Sequence, residues 1–318
     1  MTVNEIEIEN NKIGSAILYF RENYRISQSI LCMGLCSVPT LSRIEAGARD
    51  VDSLLLEALL ERLGKTPNQF ELILTDLDYE SYQNREEIKK LIEDKNYQDA
   101  IRLLDTYEKI SAPKGNVHKQ FIVVCRALIN EIRGGDIRTT IDLFMEAISY
   151  TVPDFKTNKI SDYYLSSTEL GIIIDIIQRL IEADMAARAK DILFQVLDYL
   201  EANHSMEEND RLYPKVALIA CGVFLKEKDL DKVLELSNKG LDKIKGNRKM
   251  EYRGELSLMK AQTMEALYKS AELWEQKKEE CRRLYLQAYY IFDFCNENSS
   301  ADHIKQHLRE EYQWEDTD

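Results

Sequence analysis

One stretch, Ser27–Gly47, narrows the folds open to this chain more than any other. It reads SQSILCMGLCSVPTLSRIEAG. Ser27 supplies an N-cap hydroxyl, and Gln28 opens a short helix in which Ile30, Leu31 and Leu35 fall at helical spacing. Ser37 is a second N-cap. Pro39 stands in the first turn behind it, where the missing N–H costs nothing because that group has no intrahelical partner. Leu41 and Ile44 lie on one face and turn inward, so Thr40, Ser42 and Arg43 turn outward. Gly47 ends the second helix as its C′ residue. Two short helices joined by a tight turn form a unit whose second helix fits the major groove of DNA.

The flanks complete a small helical head. Ile13, Ile17, Leu18 and Phe20 place a helix over 12–22. Leu54, Leu55, Ala58, Leu59 and Leu63 place another over 52–63, with Gly64 just past its end. Thr66 and Pro67 open a fifth helix carrying Phe70, Ile73, Leu74 and Leu77. The head spans 12–75, residues 1–11 read as a polar arm, and Asp76–Ser81 reads as the join to the rest.

The segment GLCSVPTLSRIEAG resembles the helix-turn-helix of the Cro/repressor (XRE) class. It is most similar to the compressed-turn form of the Gram-positive peptide-sensing regulators of the Rgg/PlcR-type RNPP family, over about Ile13–Phe70. The resemblance implies double-stranded DNA as a partner. Val38, Pro39 and Thr40 then stand at the end of the recognition helix that meets base edges. Arg43 reaches a guanine or a phosphate, with Ser42 beside it. Gln28 matches the glutamine that grips the DNA backbone in phage repressors, and Arg49 is placed for a phosphate. Two plainer roles compete: Arg43 paired with Glu45 or another carboxylate, and Ser42 merely solvated. Glu45 itself reads as an internal polar strut, because phosphates repel a carboxylate.

Beyond the head the chain is poor in helix breakers. Only 12 Gly and 5 Pro occur in 318 residues, so the whole chain reads as all-α. Helical hairpins follow one another: a pair around 88–92 and 97–104, then 117–133 with 137–150, 161–183 with 186–202, 210–226 with 230–245, and 250–269 with 274–295. A short helix over 301–311 closes the chain. Second helices start near 97, 137, 187, 230 and 274, at spacings of about 40, 50, 43 and 44 residues. That exceeds the tetratricopeptide period of about 34 residues. The helix–turn–helix unit, and small residues such as Ala100 early in its second helix, give the same architecture. Residues 76–318 are therefore expected to form a right-handed tetratricopeptide-like solenoid, with an irregular helical bundle as the alternative.

The net charge of −14 opposes non-specific coating of nucleic acid. Residues 12–65 carry seven basic and six acidic side chains, so the head is +1 and the remainder −15. A near-neutral head binding alone would be salt-sensitive and weak without dimerisation. The six cysteines form no C-x-x-C pair and follow no signal peptide, so they read as reduced thiols of a cytoplasmic protein. No apolar run approaches the ~20 residues that span a bilayer.

No Walker, dinucleotide or nucleophile-elbow motif occurs, and no catalytic constellation or cofactor is expected. His303 and His307 sit one turn apart but lack a third ligand, so no metal is assigned. Cys32 and Cys36 read as helix packing.

The family resemblance also implies a short signalling peptide in the repeat groove, gripped by Asn, Gln or Arg on the first helices of successive pairs. Helical register selects Asn130, Arg133, Gln178 and Lys226, over an apolar floor of Ile129 and Ile174. Solvated surface roles compete for each, and a one-residue slip rotates a side chain by about 100°. The apolar run Leu284–Phe294 suits an inner repeat layer, a dimer surface, or both. The sequence therefore points to a peptide-controlled transcription regulator, a quorum sensor acting as a homodimer on an inverted repeat. The alternative is a helical-repeat adaptor for a partner protein.

Overall fold

The computed structural model describes residues 3–65, 76–155, 160–202, 207–247 and 251–315; for 3–12, 76–78, 113, 207–210 and 246–247 it describes the backbone alone. The regular elements among them are all helical: α1 (Val3–Asn23), α2 (Gln28–Leu31), α3 (Val38–Glu45), α4 (Ser53–Arg62), α5 (Asp76–Glu93), α6 (Tyr97–Ser111), α7 (Asn116–Ile132) and α8 (Ile137–Thr151), followed by α9 (Ser167–Glu182), α10 (Ala186–Ala202), α11 (Glu207–Lys226), α12 (Leu230–Asn247), α13 (Arg253–Ser270), α14 (Trp274–Phe294) and α15 (Asn298–Tyr312). The architecture is all-α, a helix-turn-helix head followed by tetratricopeptide-like helix pairs.

Local chemistry sets the ends of the head helices. The Ser27 and Ser37 hydroxyls accept from Ile30 N and Thr40 N, each at 3.3 Å, and so cap α2 and α3. Gly47 sits at φ +67°; its N–H donates to Ile44 O and Ala48 N donates to Arg43 O, which makes a Schellman ending. Asp52 caps α4 by accepting from Leu54 N and Leu55 N.

Some expectations need correcting. The helix starts at 97, 137, 186, 230 and 274 agree with the periodicity. The arm expected over 1–11 is helical from Val3 onward. The expected join at Asp76–Ser81 forms the first turns of α5, since those residues include no breaker. The helix expected from 161 begins at Ser167, because Ser166 and Glu169 form a capping box behind a 3-10 turn at 160–162. The helix opened by Thr66-Pro67 lies outside the described residues except for its final Leu77, whose backbone belongs to α5.

The chain divides into two compact units, 1–199 and 200–318. In the first, Ile17, Leu31, Leu41, Leu59, Leu60 and Leu63 are fully buried and form the head core, onto which Val117 of α7 packs. Gly14 is where α1 crosses α3: a Cβ there would lie 2.0 Å from Ile44 O. Leu104, Tyr107, Ile122 and Ile129 belong to a second core between α5, α6 and α7. In the second unit Tyr285, Tyr289 and Phe292 of α14 pack with Ile304, Leu308 and Tyr312 of α15. The apolar run on α14 is thus divided: Tyr285, Ala288, Tyr289 and Phe292 are buried, while Tyr290 and Phe294 are exposed.

Candidate functional site

The outward face of α3 is built from its own periodicity. Leu41 and Ile44 are buried, so Val38, Pro39, Ser42 and Arg43 are exposed on the opposite side, with Thr40 half-buried. The Thr40 hydroxyl is within 2.9 Å of Ser37 Oγ, and Arg49 Nη1 approaches it at 3.4 Å. Arg43 makes no ion pair among the described residues. Glu45, the one carboxylate of α3, is buried instead and held at three points. Arg21 donates to it from Nε at 2.6 Å and from Nη2 at 3.0 Å, and Gln28 Nε2 donates at 2.7 Å. The carboxylate that competed as a partner for Arg43 is therefore taken by Arg21, and Gln28, half-buried at the start of α2, steadies that strut. The result is an exposed surface bearing Arg43 and Arg49, with its nearby acid neutralised.

The head is locked to the repeats by Arg62, which the sequence reading passed over. Its guanidinium donates to Leu31 O at 3.0 Å and Met33 O at 2.7 Å, the carbonyls of the helix-turn-helix corner. It also donates to Thr151 O at 2.9 Å and forks onto Glu169 at 2.6 and 3.2 Å. Both side chains are at most 3% exposed. Close by, Gly34 adopts φ +73°, and a Cβ there would meet Thr151 O at 2.0 Å. Asn116 Nδ2 donates to Gly34 O at 2.8 Å. Buried His118 bridges Tyr107 Oη at 2.7 Å and Asp52 at 2.9 Å. Burial pushes the Asp52 carboxyl up, but the hydrogen bond and charge of His118, the Leu55 N–H and the charge of Lys114 together outweigh it and leave the group below its ordinary value.

A cavity of about 460 Å³ opens between α4, α5, α7 and α9. Its walls are apolar at Leu54, Val124, Leu128 and Ile172, and its charged lining includes Glu57 and Arg85. None of the six residues expected to hold a peptide lines it. Ile129 and Ile174 are buried core residues, one position away from Leu128 and two from Ile172. Asn130 is spent on the turn between α7 and α8, donating to Thr140 Oγ1 at 2.9 Å and Asp136 O at 3.3 Å. Arg133 is exposed with its guanidinium over the Tyr97 ring. Gln178 is half-buried, and Lys226 is exposed in the second unit. The face of α7 that lines this cavity runs through Phe121, Val124 and Leu128, one position from the expected Ile129. Of the paired histidines, His307 Nε2 donates to Glu265 Oε2 at 3.0 Å, within the second unit.

These features define a class: an all-α chain whose exposed recognition-type helix is carried on tetratricopeptide-like pairs. Solved structures share this fold. Bacillus thuringiensis PlcR in its apo form aligns with a TM-score of 0.54 and 17% identity, covering 93% of this chain and 98% of that one. PlcR in complex with the peptide PapR7 and DNA aligns with a TM-score of 0.53 and 18% identity, covering 92% and 99%. No protein-family profile matches the chain. No curated protein matches it significantly by sequence. No described helix is long and apolar enough to cross a membrane.

Proposed function

We propose that the protein is a cytoplasmic, sequence-specific DNA-binding transcription regulator, controlled by a short signalling peptide that its repeats bind. Residues 12–75 are the DNA-reading part and 76–318 the sensing and dimerising part. The observation that carries the reading is the α3 surface: Val38, Pro39, Ser42, Arg43 and Arg49 face solvent, while Glu45 is turned in and neutralised. The solved structure of a protein with this fold bound to a peptide and DNA supports the same reading. One α3 reads only a few base pairs, so a homodimer on an inverted repeat is expected. Bound peptide acts by favouring one arrangement of the repeats and thereby of the attached head.

The test is a mobility shift on duplexes selected from a random pool. Arg43→Ala should weaken selective binding by roughly 5- to 150-fold, the loss of a bidentate base contact of about 1–3 kcal/mol. Its melting temperature should be unchanged, because the side chain is exposed. A wild-type chain that retains no sequence selectively at low salt refutes the reading. So does an Arg43→Ala variant that binds as the parent does.

A further inference from the structure

The cavity between α4, α5, α7 and α9 has two features that the stability of the fold does not require. The first is Gly171. It lies inside α9 and lines the cavity, and a Cβ built on it meets nothing within 4 Å. A glycine inside a helix is destabilising relative to alanine. Here neither a positive φ nor a close neighbour demands it. Its effect is to keep the cavity wall flat and the space before it open.

The second feature is unspent hydrogen-bonding capacity. Glu57 is half-buried on the wall and makes no hydrogen bond among the described residues; its nearest cation is Arg85 Nη2, at 3.7 Å. Arg85, itself 2% exposed, also lines the cavity; its Nη2 donates to Ser53 Oγ at 3.5 Å, and its Nη1 has no hydrogen-bond partner among the described residues. Buried polar groups are normally paired, and Glu57, the more exposed member of this loose ion pair, is open to a further donor. Charge sets which kind. Among the described residues, six carboxylates line the cavity against two cations, Arg85 and Lys89. Counting Arg62 and Arg179, which pair with Glu169 and Asp175, still leaves two negative charges in excess. Burial pushes the Glu57 carboxyl above its ordinary value, and Arg85 only partly offsets this.

We propose that this cavity is the ligand site, and that it takes a short peptide presenting an apolar side chain against Gly171 and a neighbouring ammonium or guanidinium to Glu57. The proposal rests on the peptide-sensing reading above and names the class of peptide. Leu54, Glu57 and Ala58 belong to α4, so the ligand touches the head directly.

The test uses the full chain and three pools of synthetic heptapeptides of matched hydrophobicity, one carrying Lys or Arg, one Asp or Glu and one no charged side chain. Thermal shift and titration calorimetry should show binding of the cationic pool and little of the acidic one. Gly171→Phe, which fills the cavity, should weaken that binding at least about tenfold. Gly171→Ala should keep it and raise the melting temperature. Glu57→Gln should weaken the cationic pool about tenfold and leave an uncharged pool within about twofold, a readout independent of how Gly171→Phe folds. Preference for the acidic pool, binding of neither charged pool, or cationic binding unaffected by both Gly171→Phe and Glu57→Gln overturns the proposal. A mobility shift on the same samples separates the two readings. Peptide binding without any DNA retention refutes the regulator and leaves the site standing, whereas DNA retention with no peptide binding refutes the site alone.

Discussion

Replacing Arg62 by Met should be among the most damaging single changes in the first unit. The substitution keeps most of the apolar stem and removes five hydrogen bonds, to Leu31 O, Met33 O, Thr151 O and both oxygens of Glu169. Glu169 is 1% exposed, so its charge would be left in the interior with only the Ser166 backbone N–H and its own helix end as partners. Removing one member of a buried ion pair costs about 3–5 kcal/mol. A domain has only about 5–15 kcal/mol in total, so the variant loses a large part of it. The assay is urea unfolding followed by helical circular dichroism at neutral pH. Trp274 and Trp314 both lie in the second unit and report on that unit, so they serve as the internal reference. Screening hardly reaches a pair at most 3% exposed, so the loss should be the same at 0.1 and 1 M salt. Adding Glu169→Gln to Arg62→Met should recover part of the loss, giving a coupling of about 0.5–3 kcal/mol. A loss below about 1 kcal/mol, or one that disappears in high salt, would show that the pair does not hold the head to the repeats.

Further expectations concern the second unit and the thiols. Burial pushes the Glu265 carboxyl up, but hydrogen bonds from Lys269, His307 and Tyr312 together bring it down to about 2, from an ordinary 4.5. That lowered value stabilises the fold above pH ~4.5, by on the order of 3 kcal/mol, and the contribution fades as pH falls toward 2. The stability gap between the parent and Glu265→Gln should thus narrow between pH 5 and pH 2, and a gap independent of pH would contradict the assignment. Cys295 is exposed, whereas burial pushes Cys125 and Cys221 up to about 12 and Cys36 and Cys281 up to about 11. A native-state thiol titration should therefore find one fast-reacting group per chain, lost in Cys295→Ser; two or more fast groups would refute this.

Much of the head was legible because its signals are local. The caps at Ser27 and Ser37, the ending at Gly47 and the inward pair Leu41 and Ile44 each act within one helical turn, and each stands as expected. The inward role of Glu45 was legible from charge alone, although its partner Arg21 was not. The capping box at Ser166 and Glu169 was also written in the sequence, as S-x-x-E before an apolar run, and should have placed the start of α9. Which residues of α7 line the cavity was not legible, because a helix buried on several sides gives no clear polar stripe to fix its register.

The chain's amino-acid order thus determined helix against loop, where most helices begin, and which side of α3 faces solvent. Those follow from hydrogen bonds and side-chain contacts between residues three or four apart. Only the tertiary structure decided that Arg62 meets Glu169, 107 positions away, that Gly34 must be bare beneath Thr151, and that Glu57 and Gly171 share one cavity. Such pairings depend on how separate helices stack, and no spacing within a single helix encodes them.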